Sequence, residues 1–164
     1  MAYDWNDDIA DRAADEMVTA ITAARDGGDY AAELTALSES MTTIRKAALP
    51  VSDLVDTLED GVHVSLLPSL DGVEGKETRG YARHEYAVGI AVECQCGKTD
   101  VTRQATLMDL SQRIANGFKR TRMTGDVPGV WERTQISQRI DRDRLRELSV
   151  FLSFRQVLWI GRAL

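Results

Sequence analysis

Apolar residues recur at three- and four-residue steps between residues 8 and 25: Ile9, Ala13, Met17, Ala20, Ile21 and Ala24. That spacing predicts an amphipathic helix. Asp7 or Asp8 is placed to cap it, Asp8 and Asp11 suit the positive end of its dipole, and Gly27 and Gly28 stop it. Residues 34–49 are polar and Thr-rich, and support a strand from about Met41 to Leu49 that Pro50 ends. Ser52 is positioned to cap a short helix through about Leu58, stopped at Gly61. Val62, Val64 and Leu66 alternate with His63 and Ser65, the pattern of a half-buried strand ended by Pro68. Residues 69–80 are rich in glycine and charge and read as an exposed loop.

The clearest strand follows. Tyr86, Val88, Ile90 and Val92 fall on one face, and Ala87, Gly89, Ala91 and Glu93 on the other. A turn at residues 97–100 leads into a helix over 100–120, capped by Asp100 or Thr102. Its core stripe is Leu107, Leu110, Ile114 and Phe118, flanked by Met108 and Ala115, with Lys119 and Arg120 at its C-terminal end. Residues 131–136 read as a short edge strand and 141–147 as a charged turn of helix. The last strand runs from about Leu148 to Ile160. Its alternation slips near Gln156, which predicts a bulge there. This order predicts an α+β fold: an antiparallel or mixed sheet of about four strands, flanked by two main helices. The whole chain, 1–164, reads as one domain, with residues 1–40 an acidic N-terminal helix and arm.

Charge adds an asymmetry. Residues 1–60 hold 14 Asp/Glu against 4 Lys/Arg, a net of −10, while residues 61–164 hold 12 against 16, a net of +4. Unlike faces of this kind suit a head-to-tail contact between copies. The interface residues this suggests are Asp8, Asp11 and Asp15 on the acidic side, and Arg133, Arg139, Arg142, Arg144 and Arg146 on the basic side. No apolar run approaches 18 residues, and the acidic start lacks the basic and apolar stretches of a signal peptide. The chain therefore reads as made and kept in the cytosol of its producing cell, with no membrane partner.

Candidate chemistry is sparse. Cys94 and Cys96 share a strand face and extend the Tyr86–Val92 row, so two buried structural thiols are expected rather than half of a zinc site. The stretch 70–78 resembles a phosphate-binding loop. However, Leu70 stands at its first glycine position and Glu77 at its hydroxyl position. His84 and Glu85 are adjacent on a strand and cannot act on one substrate from one face. Arg113, Lys119, Arg120 and Arg122 form one basic group and Arg139 to Arg146 another. No helix-turn-helix or RNA-binding signature accompanies them, and Asp141, Asp143 and Glu147 dilute the second. These readings predict no catalytic residues, no cofactor and no metal.

Several segments together resemble siphophage and prophage proteins of the tail-terminator or tail-completion type. They are an N-terminal helix ending in AARDG, the stretch ALPVSDLVDTLEDGVHVSLLP over 48–68, the strand YAVGIAV over 86–92, the helix MDLSQRIANGF over 108–118, and the terminal strand RELSVFLSFR over 146–155. The family commonly continues from the proline with an aromatic or basic residue, where this chain has Val51 and Ser52. The resemblance implies a sheet flanked by helices, rings of usually six subunits and no enzymatic activity. It implies a virion protein, assembled in the host cytoplasm, that caps the tail tube and joins it to the head connector. DNA would pass through the ring without specific binding. A head-completion or connector-stopper protein shares the same ring logic. A small nucleic-acid-binding protein or enzyme is the alternative of another class.

Overall fold

The computed structural model describes residues 9–55, 58–68, 73–74, 81–96, 100–118, 130–140 and 149–163. It describes the side chains of 10–55, 58–68, 88–96 and 100–118. The fold is α+β. Helix α1 (Ile9–Asp26) and helix α2 (Ala31–Leu37) precede strand β1 (Met41–Lys46). Strand β2 (Val62–Pro68), the two-residue β3 (Val73–Glu74) and the long β4 (Tyr81–Gln95) lead to helix α3 (Val101–Asn116). Strands β5 (Val130–Ile140) and β6 (Ser149–Ala163) end the described chain. The six strands form one mixed sheet in the order β1-β2-β4-β6-β5, with β3 paired to β4 off this path. Only the β1–β2 pair is parallel.

The helices cover one face of the sheet because each carries a single apolar stripe. Met17 and Ile21 of α1, and Leu107, Leu110 and Ile114 of α3, pack into one cluster with Val62, Val64, Leu66, Val88, Ile90 and Val92. The antiparallel register sets Val64 beside Val92 and Leu66 beside Ile90, so the two strands present a continuous apolar surface. Asp100 caps α3 as expected, accepting from the Arg103 amide at 2.9 Å. Phe118 and Ala115 are buried, completing the stripe read from the sequence.

Several expectations are corrected. Strand β2 is not half-buried: His63 and Ser65 are as enclosed as its valines, so both faces of the strand are covered. The segment 31–37 is a helix, too short for its own propensity to announce it. Val51–Asp53 form a single 3-10 turn, begun at Pro50 rather than capped by the Ser52 side chain. Asp56 and Thr57, in the rest of that expected helix, lie outside the described residues. Within the expected 69–80 loop, Val73 and Glu74 pair with Glu85 and His84. Six strands rather than about four make up the described sheet, and β4 begins five residues before Tyr86.

The slip near Gln156 falls on a different strand. β4 and β6 pair without interruption from Tyr81↔Ala163 to Gln95↔Ser149. The irregularity is in β5, where Arg133 faces Gln156 and Gln135 faces Arg155, leaving Thr134 as the extra residue. The expected edge strand is 11 residues long and does lie at the end of the sheet order. The charged turn expected at 141–147 lies outside the described residues.

Gly61 holds the entry to β2. Its φ is +109°, and a Cβ there would lie 2.6 Å from Thr42 Oγ1 and 3.1 Å from the Ser40 carbonyl oxygen. That same carbonyl accepts from the Val62 amide at 2.8 Å, so the turn cannot open without losing a sheet hydrogen bond. Gly61→Ala is expected to destabilise the chain by about 2 kcal/mol through positive φ and crowding. Urea denaturation checks this, and an unchanged midpoint would refute it.

Candidate functional site

The helix-free face of the sheet carries a buried set of polar groups. His63 and Glu93 are cross-strand partners, and Ser65 pairs with Ala91 one step along. All four residues are buried. The stretches 49–55 and 58–60 form a strap that lies over this face. Pro50 and Leu58 are its buried anchors. The Glu93 carboxylate accepts from the Val51 amide at 2.8 Å and the Ser52 amide at 3.1 Å, one on each oxygen. A carboxylate from a distant strand thus does what an N-cap side chain does locally. Gln95 Nε2 donates to the Leu58 carbonyl, holding the far end of the strap.

Serine, histidine and glutamate on one face invite comparison with a nucleophile, base and orienting acid. The hydrogen bonds do not form that relay. His63 Nε2 lies 3.0 Å from the Glu59 carbonyl oxygen, which can only accept, so this nitrogen donates. His63 Nδ1 lies 2.8 Å from Thr43 Oγ1. The Ser65 hydroxyl is buried with no hydrogen-bond partner, and both Glu93 oxygens are taken by the strap. His63 and Glu93 hold backbone rather than the next group's proton, and the Ser65 hydroxyl is engaged by neither.

A second cluster joins the helices to the sheet. Arg103 Nε donates to the Gln95 carbonyl at 2.8 Å, and Nη1 donates to the Leu37 carbonyl. Nη2 lies 2.9 Å from Glu39 Oε1 and 3.3 Å from Cys94 Sγ. Leu37 is the last residue of α2, so the guanidinium meets one of its orphan carbonyls at the negative end of the helix.

Cys94 and Cys96 are free and buried in the core cluster, as their strand positions predict. Burial pushes the Cys94 thiol up to about 11 despite the nearby Arg103, and burial and then Asp100 raise Cys96. Burial, then Asp29, pushes the Tyr30 phenol up to about 12. All three groups are held neutral in the fold. Their stabilising contribution is complete below the unfolded values, near 9 and 10, and is lost as pH rises through the folded ones. Stability is therefore expected to fall between about pH 9 and 12, with both thiols unreactive to a disulfide reagent at pH 8. Denaturant titrations across that range and a thiol count at pH 8 test this. Fast labelling of the folded chain at pH 8 would contradict it.

The expected interface residues are partly accounted for within the chain. Lys46 Nζ donates to Asp11 Oδ2 at 2.8 Å and to the Asp15 carboxylate at 3.0 Å. Those hydrogen bonds, Asp11 first, raise the Lys46 pKa. The two acids thus pin α1 to β1, with their outer surfaces exposed or half-exposed. Arg133 and Arg139 are placed in β5, opposite Gln156 and Phe151 of β6. Asp8, Arg142, Arg144 and Arg146 lie outside the described residues, as do Lys119, Arg120 and Arg122. Arg113 Nε donates to Glu33 Oε1 at 2.5 Å, fastening α2 to α3. Among the described residues no group of three or more His, Cys, Asp or Glu could hold a metal ion, and no helix is long and apolar enough to cross a membrane.

Sequence reasoning missed Glu93 as the strap's anchor and Arg103 as the joint between α2, α3 and β4. The only signal was a charged residue within each otherwise regular apolar pattern. No protein-family model matches the chain, and no curated protein matches it.

Proposed function

We propose that the chain is a non-enzymatic virion subunit of a tailed phage, forming a ring that caps the tail tube and joins it to the head connector. The observation that carries this reading is the order and layering of the elements. An N-terminal helix, a strand, a strap and strand, a long central strand, a covering helix and a terminal strand occur in the order the resemblance implies, with the helices on one sheet face. The long strands supply the reach such a subunit needs. β4 and β6 pair over 15 residues each, roughly 50 Å of strand at about 3.4 Å per residue. β2 pairs only with residues 88–93 of β4, so the β4–β6 pairing continues well past it. The Ser–His–Glu face favours structural work, because His63 and Glu93 are spent on anchoring backbone and neither bonds to the Ser65 hydroxyl.

In this role the ring has one face for the tube protein and another for the connector, and DNA crosses its lumen without specific contacts. Electron microscopy of the purified chain, alone and with tail tubes, tests the proposal. Rings seated on tube ends are expected. Virions lacking the chain should show overlong or unjoined tails. Heads that leak DNA with tails of normal length would assign it to the connector stopper instead. A chain that leaves tube ends unoccupied in both experiments would overturn the ring reading.

A further inference from the structure

The strap holds two large apolar side chains outward. Leu49 and Leu54 are 48% and 57% exposed, with Val55 beside them at 36%. Their backbone is well fixed. Arg45 Nη2 donates to the Leu49 carbonyl at 3.0 Å, Pro50 is buried, and Glu93 takes the next two amides. Exposed leucines on a rigid turn form a preorganised apolar knob, which lowers the ordering cost of binding.

A concave counterpart lies in the helical layer. A cleft of about 390 Å³ opens where the ends of α1 and α3 meet the start of α2. Its floor is the buried Tyr30, Ile114 and Phe118, and Ala20 and Ala24 form a wall of small side chains. Its size and apolar floor suit the insertion of aliphatic groups. Asp29 and Arg113 line its edge, and Arg45 and Asp53 flank the knob, so each edge offers the other one charge of each sign.

The knob belongs to the strap on one side of the sheet and the cleft to the helices on the other. One copy therefore cannot easily offer both to the same neighbour. A single knob-in-cleft contact leaves a free cleft on one copy and a free knob on the other, the arrangement that propagates head to tail and closes into a ring. We propose that Leu49 and Leu54 of one copy seat in the Tyr30–Ile114–Phe118 cleft of the next. This rests on the ring reading above and specifies its interface.

The test uses the full chain and sedimentation velocity over a concentration series. Leu54→Ser removes the knob's most exposed leucine, and Ala20→Trp fills the cleft from an exposed position. Each variant alone is expected to need roughly ten- to hundredfold higher concentration to assemble. An equimolar mixture has one intact knob and one intact cleft per pair, so it should form a heterodimer and stop there. Circular dichroism confirms folding, and Leu49→Ser with Ala20→Leu is the second pair if either first variant unfolds. Wild-type rings with unaffected variants would overturn this interface and leave the ring reading standing. A wild-type assembly that ends at a dimer would also overturn it. A wild-type chain that stays monomeric throughout would overturn this interface, and the ring reading falls with it only if tube ends also stay unoccupied.

Discussion

Replacing Arg103 by methionine is expected to destabilise the fold by about 4 kcal/mol, measured as a lowered urea midpoint at an unchanged slope. Methionine keeps most of the length and apolar stem, so the loss reports the donors rather than a cavity. The guanidinium serves the carbonyls of Leu37 and Gln95 and the carboxylate of Glu39. Its side chain and that of Glu39 are each only about one-fifth exposed, so water replaces these contacts poorly. Without it, the Glu39 carboxylate loses the cation beside it, the costly half of a broken ion pair. Arg103→Lys should restore only a small part of the loss, because one ammonium cannot span three acceptors set in a fork. A deficit below 1 kcal/mol for the methionine variant would mean that α2 is held by packing alone.

The elements most legible in the sequence are those in which local periodicity and tertiary burial agree. The stripe through Ala13, Met17 and Ile21, the stripe through Leu107, Leu110 and Ile114, and the alternation of Val88, Ile90 and Val92 each name the face that is buried between helices and sheet, and the core assembles from them. Helix α2 was not legible, because Ala31–Leu37 is too short to stand on propensity. It is fixed by Arg103 at its end and by the Glu33–Arg113 pair, and these reach 66 and 80 residues along the chain. The polar face of β2 was misread for a related reason. Alternation shows that His63 and Ser65 are polar, but not that a strap will cover them. Asp11 and Asp15 meet Lys46 of the same chain, contacts 35 and 31 positions along the sequence that charge composition does not locate. The phase slip at Gln156 marked a real irregularity. An alternation pattern registers a break in facing without saying which of two paired strands carries the extra residue, and here it is β5.

Glu93→Ala is expected to cost about 4 kcal/mol, from two charge-assisted hydrogen bonds and the cavity left in a closed site. The residue is fully buried, and its two oxygens separately hold the Val51 and Ser52 amides. Glu93→Gln separates the two contributions. The glutamine oxygen can still accept from one amide, but its NH2 group repels the other, so roughly half of the loss should remain. Hydrogen exchange locates the effect. The amides of Val51 and Ser52 should lose protection in both variants, while those in the centre of β4 keep theirs relative to global stability. Loss of protection spread evenly over the sheet would show that Glu93 supports the core rather than the strap. The consequence for assembly follows from the position of the anchor. Leu49 and Leu54 are unchanged in Glu93→Gln, yet they would be presented by a loosened backbone. The variant should therefore assemble less readily than wild type at conditions where both remain folded. Apolar side chains alone do not make this interface, because the buried carboxylate beneath the strap sets where they stand.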